Sequence, residues 1–174
     1  MQEMNKAKSL ADFQLPRWQQ LPSVPLYLEQ VLALLEEWMG PYLGKEDGTI
    51  LTKTMINNYV KLHFIQPPVR RKYDRLTLAS LFVIAVLKPI YTIEEIGYLI
   101  RLSLGHSDPQ AAYDDFCDCA EAAVSHAFHQ TTMERNTKAG DPRLRLWNAC
   151  NAFACQLYVR RIYLEDAMAR PAAE

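Results

Sequence analysis

Apolar residues recur along this chain at spacings of three and four, and that rhythm predicts helices. From about Ser23, the residues Leu28, Val31, Leu32, Leu35, Met39 and Tyr42 share one face. Pro25 suits the first turn of that helix, and Gly40-Pro41 is expected to fray its far end. Residues 44–49 read as a loop. Thr52 opens a second helix running to about His63, with Met55, Ile56, Tyr59 and Val60 as its apolar stripe. Lys53, Thr54, Asn57, Asn58 and Lys61 form the opposite, polar one. Gln66-Pro67-Pro68 cannot continue a helix. The basic run from Val69 to Tyr73 is then expected to form the two strands of a small wing. A third helix starts at Asp74 or Arg75 and is apolar on nearly all sides from Leu78 to Leu87, which predicts burial at the centre of the core. Pro89 ends it. Thr92-Ile93-Glu94-Glu95 has the form of a capping box and opens a fourth helix that stops at Gly105.

The remainder reads as a helical hairpin. Tyr113, Phe116, Ala120, Ala123 and Ala127 mark the first arm; Leu146, Cys150, Phe153, Leu157 and Leu164 mark the second, after a turn at Gly140-Asp141-Pro142. At the other end, residues 1–24 are polar and then punctuated by prolines, and are expected to be a mobile tail and an extended strap anchored by Trp18. The domain boundaries that follow are 1–24 for tail and strap, 25–105 for a central domain and 106–170 for the hairpin.

Composition agrees with this pattern. There are 22 Leu and 19 Ala against 8 Val and 9 Ile in 174 residues, which favours helix over pleated sheet. The predicted class is all-α, mainly helical with a short β wing. No apolar stretch is long enough to span a bilayer, no secretory signal is evident, and the four cysteines lie in helix-patterned sequence. A reduced, cytoplasmic protein without disulfides is expected.

Charge alters the picture once it is divided along the chain. The formal total of −1 argues against a generic polyanion binder. Residues 1–49, however, carry −3, residues 50–90 carry +6 and residues 91–174 carry −4. A basic module between acidic flanks is the layout of a small DNA-reading domain. Arg70, Arg71 and Lys72 on a wing would neutralise phosphates. Asn57 and Asn58 are of the type that bonds bidentately to adenine in the major groove, and Lys53 and Lys61 are within reach of phosphate or guanine.

The stretch from Met55 through Tyr59, Phe64-Ile65 and Pro67 resembles the recognition helix and following turn of the MerR-like winged helix-turn-helix. Tyr59 matches an aromatic of that helix, Phe64-Ile65 an apolar pair and Pro67 a proline. Lys72-Tyr73 resembles the end of the wing, and Tyr91 to Ile96 the start of the last helix. Asn57 stands where that family usually has arginine. The chain is more similar still to the bacterial family known as domain of unknown function 1836, around TKTMINNYVK, the PPV-basic-Tyr run and TIEEI, over most of residues 20–105. The resemblance implies a MerR-like DNA-binding fold in a transcriptional regulator.

Other chemistries have weaker footing. Asp114 to Asp118 spells DDxxD, a diphosphate–magnesium arrangement, but lacks a second acidic cluster and a chain long enough for a deep cavity. Cys117, Cys119, His126 and His129 raise metal sensing, yet residues two apart on a helix point to nearly opposite sides. No nucleophile triad, phosphate-cradling glycine loop or zinc CxxC pair is present, so neither catalysis, a metal nor a cofactor is expected. The expected function is transcription regulation by binding double-stranded DNA as a homodimer. Thr54, Asn57, Asn58 and Lys61 would face the groove; Arg70, Arg71, Lys72 and the Tyr73 hydroxyl would grip the backbone. The hairpin would dimerise, sense an unidentified small-molecule effector, or both. The competing expectation is a non-enzymatic protein-interaction module on a winged-helix scaffold.

Overall fold

The computed structural model describes residues 10–43, 50–105, 107–131 and 142–164. The predicted loop at 44–49, the first nine residues of the tail and Gly140-Asp141 of the predicted hairpin turn lie outside them. The described residues are mostly helical with one small antiparallel sheet. They divide into two compact units, 14–117 and 10–13 with 118–164. Among them no helix is long and apolar enough to cross a membrane.

In the larger unit the chain enters as a strap. Leu15 and Leu21 are buried, and a single 3-10 turn, Trp18–Gln20, separates them. In the other unit, Leu10, Ala11 and Phe13 are buried as well. Apolar side chains within the polar stretch that reads as tail are therefore buried from Leu10 onward. Trp18 is held as an anchor. Its ring meets Tyr113 edge-on at 6.4 Å, the Arg75 guanidinium lies 5.7 Å from its centre, and its amide donates to Asp114 Oδ1 at 2.8 Å.

The first helix, α1 (Leu28–Leu43), begins later than its apolar rhythm predicts. Leu26–Tyr27 form strand β1 instead, antiparallel to β2 (Lys72–Tyr73), with Leu26 opposite Tyr73 and Tyr27 opposite Lys72. The second strand of the wing thus comes from the residues before α1, not from the basic run alone. Ladder pairing keeps that backbone extended, and the Tyr27 amide is satisfied by Gln30 Oε1 at 2.9 Å. The helix then runs through Gly40 and Pro41 rather than fraying there, with Met39 buried to fix that end.

Helix α2 (Lys53–Lys61) buries Ile56 and Tyr59. Helix α3 (Arg75–Leu87) is the centre that its composition predicts: Leu78, Leu81, Phe82, Ile84, Ala85 and Leu87 are all buried, on every side. Asp74 caps it, accepting from the Thr77 amide at 2.8 Å and from the Thr77 hydroxyl at 2.7 Å, which satisfies the one buried polar residue there. Helix α4 (Ile93–Leu104) opens on the predicted capping box. The Thr92 amide donates to Glu95 Oε2 at 2.8 Å, and the Glu95 amide donates to Thr92 Oγ1 at 3.3 Å.

Helices α5 (Pro109–His129) and α6 (Pro142–Val159) are the predicted arms. Tyr113 and Phe116 are buried in the larger unit; Ala120, Ala123, Cys150, Phe153 and Leu157 are buried in the smaller. Phe13 and Phe153 lie 5.9 Å apart there. Leu164 departs from its expected stripe and is 45% exposed. The cause is local: Arg160–Leu164 winds as a π-helical turn, whose wider winding rotates Leu164 off the face set by Phe153 and Leu157.

One close approach makes a sharp test of the larger unit. The Phe64 ring lies against Gly97 of α4, so that a Cβ there would sit 2.6 Å from Phe64 Cδ1. Gly97→Ala should destabilise the protein by about 1–3 kcal/mol through overpacking, read as a lower midpoint in thermal or urea unfolding. Adding Phe64→Leu should recover part of the loss. An unchanged midpoint for Gly97→Ala would show that the ring can move freely.

Candidate nucleic-acid interface

Helix α2 owes its start to Thr52, whose hydroxyl accepts from the Met55 amide at 3.1 Å. With Ile56 and Tyr59 turned into the core, helical geometry leaves Lys53, Thr54, Asn57, Asn58 and Lys61 exposed. Among the described residues, the side chains of Thr54, Asn57, Asn58 and Lys61 have no hydrogen-bond or ion-pair partner of their own. The helix ends before His63, two residues earlier than its pattern predicts. His63 adopts a left-handed backbone (φ 58°), its amide donates to Val60 O at 3.0 Å, and the Phe64 amide reaches back to Tyr59 O at 2.9 Å. These two bonds form a Schellman turn, usually closed by glycine. It reverses the chain and sends it toward the basic run.

That run is a two-residue hairpin turn. Val69 and Lys72 exchange both backbone bonds, each 3.0 Å, around Arg70 and Arg71. Both arginines have positive φ, 51° and 65°, the signature of a type I′ turn. Such turns match the twist of the flanking strands but favour Asn-Gly, because a Cβ is strained there. Both arginines are exposed, and among the described residues neither has an ion-pair or hydrogen-bond partner. Lys72 sits at the base, partly buried, its ammonium 4.8 Å from the centre of the Tyr27 ring. Tyr73 is different. Only 4% exposed, it faces Leu26 in the ladder, and burial pushes its hydroxyl pKa up. Its ring belongs to the core, so the expected grip on a phosphate through Tyr73 loses its basis.

The sequence groups the candidate cations only by proximity in the chain. Tertiary structure ties them through a junction that sequence reasoning missed. Tyr27 holds Lys72; two residues later, Glu29 at the start of α1 holds Lys53 at 2.8 Å. Glu29 and Lys53 are 24 positions apart, and nothing in the sequence marks them as a pair. The bond from Lys53 keeps the Glu29 carboxyl below its ordinary pKa. Both side chains are well exposed, 58% and 68%, so the pair is weak. The beginning of α2 and the base of the arginine turn are thus anchored to the same short β1–α1 segment.

The residues of the competing chemistries have structural duties. Asp114 of the DDxxD run accepts from the Trp18 amide. Cys117 is fully buried, with its thiol 3.8 Å from Pro16 O, whereas Cys119 is only half-buried, so the two cysteines do diverge. His126 Nδ1 lies 2.5 Å from Thr131 Oγ1, and His129 Nδ1 lies 2.9 Å from Ser125 O, both at the end of α5. The Ser125 hydroxyl is also 3.2 Å from His129, without an acid to orient the ring among the described residues. No three His, Cys, Asp or Glu side chains converge among those residues.

Neither a curated protein nor a solved structure matches this chain. A family model does match, over residues 16–116, which spans the strap from Pro16, helices α1 to α4, the two-stranded sheet and the first part of α5. That span coincides closely with the larger compact unit and contains every residue of the candidate interface. The chain belongs to the family described as domain of unknown function DUF1836.

Proposed function

We propose that the protein is a non-enzymatic, DNA-binding transcriptional regulator. Helix α2 serves as a MerR-like recognition helix, and the two-stranded sheet with its arginine turn serves as the wing. The observation that carries this reading is the turn itself. A non-glycine residue at positive φ costs about 1 kcal/mol or more, and two adjacent arginines bear that cost with no partner among the described residues to offset it. Folding alone would favour Asn-Gly at this position. Polyanion binding explains why cations stand there. The exposed amides of Asn57 and Asn58, without a partner among the described residues, supply what phosphate contacts cannot, namely the means to distinguish bases. A cytoplasmic homodimer reading a pseudo-palindromic site is the assembly this function calls for, with the helices beyond residue 117 as the dimerising or effector-sensing part.

Three measurements test the reading. Replacing the turn by Arg70→Asn with Arg71→Gly should raise folding stability by about 1 kcal/mol or more while weakening DNA binding. A variant that gains no stability would mean that the turn is unstrained. Arg70→Ala with Arg71→Ala should reduce the slope of log affinity against log salt by roughly one to two units, and an unchanged slope would move the DNA site off the wing. Selection from random duplexes at physiological salt should enrich a motif, and Asn57→Ala should relax base preference at one position of it. If no sequence is enriched, the operator-reading function fails, and a docking role for the basic surface toward an acidic protein gains the ground.

A further inference from the structure

Resting on the homodimer of the DNA-binding reading, we propose that two copies of the chain meet through the outer face of α4, as an antiparallel helix pair about a two-fold axis. Helix α4 buries only Ile96 and Gly97. On its other side Glu94, Tyr98, Arg101 and Gly105 are exposed and Tyr91 is half-exposed. These five follow one another at steps of three and four, the rhythm of a seam between two helices. The face differs in kind from that of α2. There the stripe from Lys53 to Lys61 is polar throughout. Here Tyr98 stands at the centre, 58% exposed, and tyrosine is enriched where proteins meet.

The charges on this face select a second copy as its occupant. Glu94 and Arg101 are both exposed, and neither has a hydrogen-bond or ion-pair partner among the described residues. Their own helix cannot join them, because seven residues rise about 10 Å and intrahelical pairs form at three or four. The same helix running the other way sets the partner's Arg101 against Glu94 and the partner's Glu94 against Arg101. A parallel pairing would oppose like charges. Two-fold symmetry demands such self-complementarity, and it brings the two Tyr98 rings together near the axis. Antiparallel helix dipoles add to the attraction. Gly105, without a side chain, leaves room at each end for the partner's Tyr91. Helix α4 has twelve residues and is about 18 Å long. Such a seam buries less surface than a permanent dimer, so the dissociation constant is on the order of tens of micromolar. The contact lies in the same unit as α2 and leaves the helices beyond residue 117 for sensing.

The test is sedimentation velocity on the full chain, from micromolar to millimolar concentration. The wild type should pass from monomer to dimer. Tyr98→Ala should weaken the dimer by roughly tenfold or more. So should Glu94→Arg or Arg101→Glu, each of which opposes like charges. An equimolar mixture of those two charge variants should dimerise as the wild type does, because each chain supplies what the other lacks. A structural role within one chain would not be rescued by mixing. A dimer that no substitution weakens, or a mixture that is not restored, overturns the placement on α4 and leaves a homodimer formed elsewhere. A monomer at every concentration overturns the proposal and leaves the face to an unrelated protein. Binding of random duplexes, read by fluorescence anisotropy, tests the DNA-binding reading separately. If the wild type binds none, that reading fails whatever the oligomeric state.

Discussion

A helix that is apolar on every side can exist in water only if other elements enclose it, and α3 imposes that requirement on the larger unit. Its buried Leu, Ile, Phe and Ala residues call for surrounding elements that are each apolar on one face alone. Helices α1, α2 and α4 of the same unit each bury such a face, with Val31, Leu35 and Met39, with Ile56 and Tyr59, and with Ile96. Burying one face of an amphipathic helix necessarily exposes the other. The polar stripe of α2 therefore faces solvent as a consequence of core formation.

The arginine turn is held by a different means. Among the described residues the side chains at its apex have no hydrogen-bond or ion-pair partner, and its geometry rests on the two backbone bonds between Val69 and Lys72 and on the pairing of Lys72–Tyr73 with Leu26–Tyr27. Tyr73, buried in the ladder, locks the register; a slip of one residue would bring Lys72 into the core and put Tyr73 in water. Strain at Arg70 and Arg71 is tolerable because the strand that follows is paired and Tyr73 on it is buried.

Local features were legible in the sequence wherever their cause lay within a few residues. Thr52, Asp74 and the Thr92–Glu95 box cap helices because each side chain reaches an amide three positions away. The exposed face of α2 and the divergence of Cys117 from Cys119 follow from helical periodicity. Reading failed where a distant partner decided the outcome. Leu26–Tyr27 have the pattern of a helix start and become a strand because Lys72–Tyr73 pair with them. Leu10 and Phe13 look like tail and are buried. Tyr73 sits in a basic run that reads as surface, and turns inward.

By itself, then, the sequence determined a mainly helical protein, its central helix, its caps and a charge distribution concentrated between residues 50 and 90. Composition, periodicity and charge are properties of the chain that folding does not alter. Tertiary structure alone decided which of those charges share a surface and in what backbone conformation they are held. The tie from Tyr27 to Lys72 and from Glu29 to Lys53 joins segments far apart in the chain, and the left-handed arginines arise from closing a two-residue turn within a twisted sheet. Both depend on contacts between distant segments, which exist only once the chain has folded.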